Sequence, residues 1–380
     1  MRTGRRVAPR KRRKQTAHSA SLPYRLGRAQ GYALGREHGY RLGRNQAIIQ
    51  HIPVPVRSPK PISVLFVRSG LWAYRPIDDG IAAALARQTA QVHTALPQDD
   101  VTALAEACRP DLVLSLNSVE LLDTSQIDRL RTLGFRTAVW FTDDPYYADV
   151  TRDVAPHYDH VFTNEEACVP LYEAGGCASV HYLPLAANTD LYHPQRVEPA
   201  LCSEICFVGS AFHSRVGLFD GIADYLATKK TLIGGYWWER LRKYDQLAPF
   251  ILNGVWISPE ETSCWYNGAK LVINVHRAAD DDANANRSGW PALSVNPRTF
   301  EIGAVGALQL VDKRPGLGRH YVAGEEVVEF SSPQELVELA DYFLTHEQER
   351  LRIAGNALAR TYREHTYDHR VQKLLDTVFP

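Results

Sequence analysis

Asn296-Pro297-Arg298-Thr299-Phe300-Glu301-Ile302-Gly303-Ala304-Val305-Gly306-Ala307, running on into Leu308-Gln309-Leu310-Val311-Asp312, reads as a loop, a helix and a buried strand. Pro297 suits a first helical turn, where its missing N–H would be unpaired anyway. Phe300, Ala304 and Ala307 recur at helical spacing and turn one face inward. Gly306 marks the helix end, and Leu308 to Val311 is apolar enough for a central parallel strand. That leaves Asn296, Arg298, Thr299 and Glu301 around the helix N-terminus. Free backbone N–H groups and partial positive charge there attract phosphate. Arg298 adds a fork for two phosphate oxygens, and Glu301 a carboxylate for sugar hydroxyls. A capped core helix with an ordinary first-turn acid is the competing reading, and these residues alone leave both open.

Working outward, 380 residues allow two domains of ordinary size. With 45% apolar and 23% charged residues the composition is globular, and no apolar run is long enough to span a bilayer. The six cysteines lack paired zinc-type spacing and are expected to be reduced. No apolar segment follows the basic N-terminus, so a secretory leader is not expected and the expected location is the cytoplasm. The formal charge of zero hides an asymmetry. Residues 1–50 hold 13 Lys and Arg against one acid, Glu37, which leaves residues 51–380 at −12. An acidic body argues against specific nucleic-acid binding.

Residues 1–21 are basic and nearly free of large apolar side chains, so they are expected to be disordered. An octad repeat follows over 22–50: Tyr24-Arg-Leu-Gly27-Arg28, Tyr32-Ala-Leu-Gly35-Arg36 and Tyr40-Arg-Leu-Gly43-Arg44. Glycine recurs at 27, 31, 35, 39 and 43, and each costs a helix about 1 kcal/mol relative to alanine. The segment reads either as a helical arm for self-association or an anionic surface (spore or membrane), or as a flexible arm. Residues 51–61, with four prolines, read as an extended linker.

From residue 62 the pattern alternates short β-rich runs with helices, which predicts a parallel sheet covered on both faces. Strands are expected at 62–68, 92–96, 111–116, 136–141, 160–163 and 180–183, in a first domain over 62–195. A second domain over 196–364 is expected to hold strands at 204–209, 232–235, 271–276, 308–311 and 327–330, with a final helix over 365–380. Ligands in such folds bind beyond the carboxyl ends of the strands. Asp143 and Asp144 follow one strand end, and either would serve as a general base. Gly209-Ser210 is a glycine turn that lets backbone N–H groups approach a phosphate. Asn274 and His276 end a buried strand and need partners, with His276 facing either a reacting centre or the core. Asp280 to Gly289 reads as a mobile, solvated loop over the pocket.

Several segments together resemble the CgeB-like (spore maturation protein) glycosyltransferases over 62–380. They are Phe141-Thr-Asp-Asp-Pro145, Tyr182-Leu-Pro-Leu-Ala186 with Tyr192-His-Pro194, Phe207-Val-Gly-Ser210, Arg298-Thr-Phe-Glu301 with Gly306-Ala307, and His365-Thr-Tyr367 with Arg370. The resemblance implies an α/β GT-B fold, two Rossmann-like domains facing a central cleft, here preceded by the basic Gly-repeat arm. It implies transfer of a sugar from a nucleotide-sugar to a glycan, protein or small-molecule acceptor, without a metal or other cofactor. A UDP-sugar is favoured over GDP- or dTDP-sugars. On this reading Gly209, Ser210, Asn274, Asn296, Arg298, Thr299 and Glu301 hold the donor, and Asp143, Asp144 and His276 serve the chemistry. The last helix would cross back to the first domain. Leu293 stands where related retaining enzymes carry a second glutamate, which leaves the stereochemical course open. Two other readings use the same fold: a non-catalytic nucleotide-sugar-binding or surface-assembly protein, and a sugar-nucleotide epimerase.

Overall fold

The computed structural model describes residues 22–53, 58–117 and 122–380. The basic tail 1–21 and part of the proline linker, 54–57, lie outside the described residues. The chain divides into two compact units, Met1–Tyr40 and Arg41–Pro380. The octad repeat lies on a helix, Leu22–Gln50.

Within the larger unit lie two six-stranded parallel sheets. The first contains β1 (Lys60–Val67), β2 (Thr89–Ala95), β3 (Leu112–Leu116), β4 (Thr137–Phe141), β5 (His160–Thr163) and β6 (Val180–Tyr182), in the order β2-β1-β3-β4-β5-β6. The second contains β7 (Ser203–Val208), β8 (Thr231–Gly235), β9 (Ile251–Asn253), β10 (Ala269–Asn274), β11 (Leu308–Asp312) and β12 (Val328–Phe330), in the order β12-β11-β10-β7-β8-β9. Every residue of β3 and β4 is buried, because helices cover both faces; this is why their sequences run apolar without alternation. Each sheet reverses direction once, between β1 and β3 and between β7 and β10. Crevices open at such switch points, beyond the carboxyl ends of the strands.

The C-terminal helix Tyr367–Val378 belongs to the first sheet's core. Val371, Leu374, Leu375 and Val378 pack with Ile77, Ile81 and Leu85. Asn188, on the connection between the sheets, donates to the Pro76 carbonyl at 3.0 Å. The strand Ile251–Asn253 and the helix Ala148–Val154 have no clear sequence signal.

The loop expected to be mobile is a strap instead. Asp149 accepts the backbone N–H of Arg287 at 2.6 Å and the Ser288 hydroxyl at 2.6 Å. Backbone bonds join Ala285 to Tyr146 and Asp149. Glu165, buried on the first domain, accepts the N–H groups of Leu293 and Ser294 at 3.0 and 2.9 Å. Carboxylates of one domain thus accept from backbone donors of the other along the segment 285–294.

The end of the arm helix is docked. Arg44 donates to the Leu351 carbonyl at 2.7 Å, and the Asn45 amide reaches the Val305 and Gly306 carbonyls at the end of helix Pro297–Val305. Gly306 adopts φ 69°, and a β-carbon there would collide with the Asn45 amide. Gly306→Ala is therefore expected to cost about 2–4 kcal/mol, the left-handed penalty plus displacement of Asn45. Gly134→Ala, at φ 84° with open space around it, should cost only about 1 kcal/mol. Equal losses in urea unfolding would refute the docking contribution.

Candidate functional site

At the switch point of the second sheet, β7 ends at Val208 and the chain turns through Gly209-Ser210 into the helix His213–Leu226. The buried Trp238 fixes the turn by donating its indole N–H to the Gly209 carbonyl at 3.1 Å. Two guanidinium groups flank Gly209, and any side chain there would strike Arg298. Arg215, 3% exposed, donates to the Ser210 carbonyl at 2.7 Å and to the Val275 carbonyl at 2.9 Å. Arg298 donates to the Val208 carbonyl at 2.9 Å and to the Val275 carbonyl at 3.1 Å. Among the described residues neither is paired with a carboxylate. Burial, then the neighbouring Arg298, pushes the Arg215 pKa well below its usual value. The turn is a positively charged, partly dehydrated corner.

Helix Pro297–Val305 points its N-terminus at this corner. Asn296 caps it, accepting the Thr299 N–H at 3.1 Å. The Asn296 amide donates to Asn274 at 2.9 Å, Asn274 donates to the Thr299 hydroxyl at 3.0 Å and to Gln309 at 3.2 Å, and Gln309 donates to the Thr299 carbonyl at 2.9 Å. This closed network corrects the sequence reading of Asn274, Asn296 and Thr299 as donor contacts. Their side chains are turned on one another, and they position the helix rather than face a ligand. Arg298 and Glu301, three residues apart on one helix face, do line the cleft, as do Gly209 and Ser210. The cavity is about 300 Å³. Its other walls are Ala73, Pro76 and Ile77 from the first domain, and Tyr236, Val255 and Trp256 beyond the ends of β8 and β9. Burial raises the Glu301 pKa to about 7, with Arg298 opposing the rise.

On the first domain Asp143 follows β4, next to Tyr74 and Asn117 and outside the residues that line this cavity. Its carboxylate accepts from the Tyr74 hydroxyl and, at 3.4 Å, from the Asn117 amide. Burial lifts its pKa to about 7, against the pull of Arg277. Asp144 points the opposite way. It is 1% exposed and accepts from Thr163 and Tyr172, both at 2.6 Å, and from Thr151 at 3.0 Å. Its oxygens are occupied in the core, so the expectation that either acid could meet an acceptor narrows to Asp143. His276 is likewise enclosed rather than presented to the cleft. Its Nδ1 lies 2.6 Å from Asp312, which also accepts the His276 backbone N–H at 2.9 Å. Burial pulls its pKa down to about 4 despite Asp312, so the ring is neutral at pH 7.

Sequence reasoning missed Arg215, Arg277 and Asp312. The last was within reach: β10 and β11 run parallel with Asn274 beside Val311, which carries His276 toward Asp312.

Residues 217–376 match the family model described as glycosyl transferase-like. Spore protein CgeB of Bacillus subtilis (strain 168) is 27% identical over 82% of this chain and 98% of its own length. Sucrose-phosphate synthase from Thermosynechococcus elongatus superposes with TM-score 0.59 at 12% identity, covering 83% of this chain and 98% of that one. HepE of Anabaena, solved in complex with UDP-glucose, gives TM-score 0.56 at 12% identity, covering 83% and 99%. The resemblance to CgeB-like proteins read from the motifs holds, and the fold is GT-B. Among the described residues no helix is long and apolar enough to cross a membrane.

Proposed function

We propose that this GT-B protein transfers a sugar from a nucleotide-sugar, a UDP-sugar in the first instance, to an acceptor hydroxyl. One observation carries the reading: two guanidinium groups without carboxylate partners converge on the Gly209-Ser210 turn, beside a helix N-terminus, in the cleft between two Rossmann-like domains. Arg215 is a buried cation with no carboxylate in ion-pair contact among the described residues, which is costly, and a diphosphate would supply that contact. The same groups would stabilise the leaving diphosphate during transfer, the task a metal ion performs elsewhere. Glu301, on the same helix face as Arg298, would accept hydrogen bonds from ribose or sugar hydroxyls. Asp143, from the facing domain, would take the acceptor proton. The solved HepE complex with UDP-glucose supports a donor of this class. Similarity to a spore protein supports a role in spore-surface or cell-surface glycan assembly.

Thermal stability measured with UDP, GDP, dTDP and their sugars tests the donor, because a ligand of the folded state raises the melting temperature. A shift with UDP-glucose or another UDP-sugar is expected. No shift with any nucleotide would end the reading, and binding without transfer or hydrolysis would favour a non-catalytic protein.

Glu301 adds a pH signature. Folding raises its pKa from 4.5 to about 7, so between those values the folded protein retains a proton that the unfolded chain has lost. Stability contributed by this group therefore falls as pH rises through that window. Sugar hydroxyls prefer the carboxylate, so donor affinity should rise with pH through about 7. Glu301→Gln should weaken donor binding by about 10–100-fold and flatten that pH dependence. An unchanged affinity and slope would remove Glu301 from the donor site.

A further inference from the structure

The connection from β1 to helix Arg75–Gln88 holds an aromatic side chain in water by design of its surroundings. Trp72 is 65% exposed and Leu71 beside it 41% exposed. The loop beneath them is tied down by hydrogen bonds. Asp78 accepts the Ser69 backbone N–H at 2.9 Å and the Ser69 hydroxyl at 2.7 Å, and that hydroxyl accepts the Leu71 N–H at 3.2 Å. Fixing a loop so that it displays an indole lowers the ordering cost of binding something to it. The loop is also at the cleft. Trp72–Tyr74 is a single helical turn in which Ala73 lines the cavity and Tyr74 donates to Asp143.

We propose that Trp72 is the platform for a saccharide acceptor, a sugar ring laying its C–H face on the indole while its hydroxyl is offered to Asp143. The inference rests on the donor reading above. The surroundings decide between a sugar and a lipid chain. A half-exposed ion pair lies beside the indole, Arg75–Glu260, at 2.6 Å and spanning the two domains. The Arg75 guanidinium lies 5.7 Å from the Trp72 ring centre. An apolar spot bounded by forked donors and carboxylates matches a ring that has one apolar face and a polar edge. An alkyl chain would have to lie against those charges at a desolvation cost.

The test is calorimetric titration of the full chain, with and without saturating UDP, using maltotetraose, chitotetraose, methyl glucoside and octyl glucoside. Trp72→Ala and Trp72→Phe are compared with the parent, and UDP affinity is measured in all three. Binding of at least one oligosaccharide is expected, weakened about tenfold by Trp72→Ala and largely kept by Trp72→Phe, with UDP affinity unchanged. No oligosaccharide binding, binding indifferent to Trp72→Ala, or binding that requires the octyl chain would each overturn the proposal. Failure of UDP to bind would instead overturn the donor reading, and the saccharide titrations without UDP would still decide this one.

Discussion

Asp143→Asn should lower the rate of sugar transfer by about 100–10,000-fold, the usual contribution of a positioned proton acceptor, while leaving UDP-sugar affinity unchanged. The expectation follows from where the two adjacent acids point. Asp144 accepts from three hydroxyl donors in the core and is 1% exposed, so a substrate has no path to it. Asp143 holds one Tyr74 hydroxyl and a long contact to Asn117, and an acceptor hydroxyl can displace either. Burial places its pKa at about 7, near the pH where a base is both available and strong enough to matter. At saturating donor, where the titration of Glu301 does not limit binding, the wild-type rate should therefore fall as pH drops below about 7, and whatever rate the asparagine variant retains should lose that limb. Asp144→Asn should behave differently: it leaves three buried hydroxyls mismatched and lowers the unfolding midpoint first. UDP release, measured with separate donor-binding titrations, tells the cases apart. Full activity in Asp143→Asn would remove this residue from the mechanism.

The contrast between neighbouring acids shows what one sequence can and cannot carry. Strands such as Leu112–Leu116 were legible because burial on both faces forces an unbroken apolar run. Gly209, Ser210, Arg298 and Glu301 could be singled out because a glycine turn after a strand, and a basic and an acidic residue three apart in a first helical turn, suit a phosphate and a sugar, and the same pattern also fits an ordinary turn and a capped core helix. The rest depends on partners distant in the chain. Asn274, Asn296 and Thr299 have the composition of a ligand shell, and only Gln309, brought across by β11, closes them into an internal network. Asp144 is distinguished from Asp143 by Thr163 and Tyr172, and Asp149 turns an apparently solvated loop into a strap. Arg215 gives no local signal, because its role comes from reaching the Val275 carbonyl 60 residues later. Backbone period is a local property, whereas the choice of a side chain's partner is a property of the assembled sheet.

Arg298→Ala should weaken UDP-sugar binding by about 100-fold, roughly 3 kcal/mol, since charge-assisted hydrogen bonds to a phosphate are each worth about 1.5–3 kcal/mol. The side chain is already oriented before any ligand arrives. One nitrogen is held by the Val208 carbonyl and the other by the Val275 carbonyl, so a bound diphosphate would meet a fixed fork rather than a flexible chain. Those same bonds join the ends of β7 and the segment after β10, so some loss of stability accompanies the loss of affinity. Arg298→Lys separates the two effects. It keeps the charge but replaces the planar fork, whose two ends reach separate carbonyls, with a single point charge, so its affinity should fall between those of the parent and the alanine variant. Arg215 is the wrong residue for this experiment, because at 3% exposure its removal empties a buried position under the turn and takes one donor each from the Ser210 and Val275 carbonyls, so loss of stability would obscure loss of affinity. The readout is the melting-temperature rise produced by UDP. It should be large in the parent, reduced in Arg298→Lys and nearly absent in Arg298→Ala at the same ligand concentration. An alanine variant that is folded and still shows the parent's full rise would mean that the diphosphate does not bind at the Gly209-Ser210 turn, and the donor site would have to be sought on another part of the cleft.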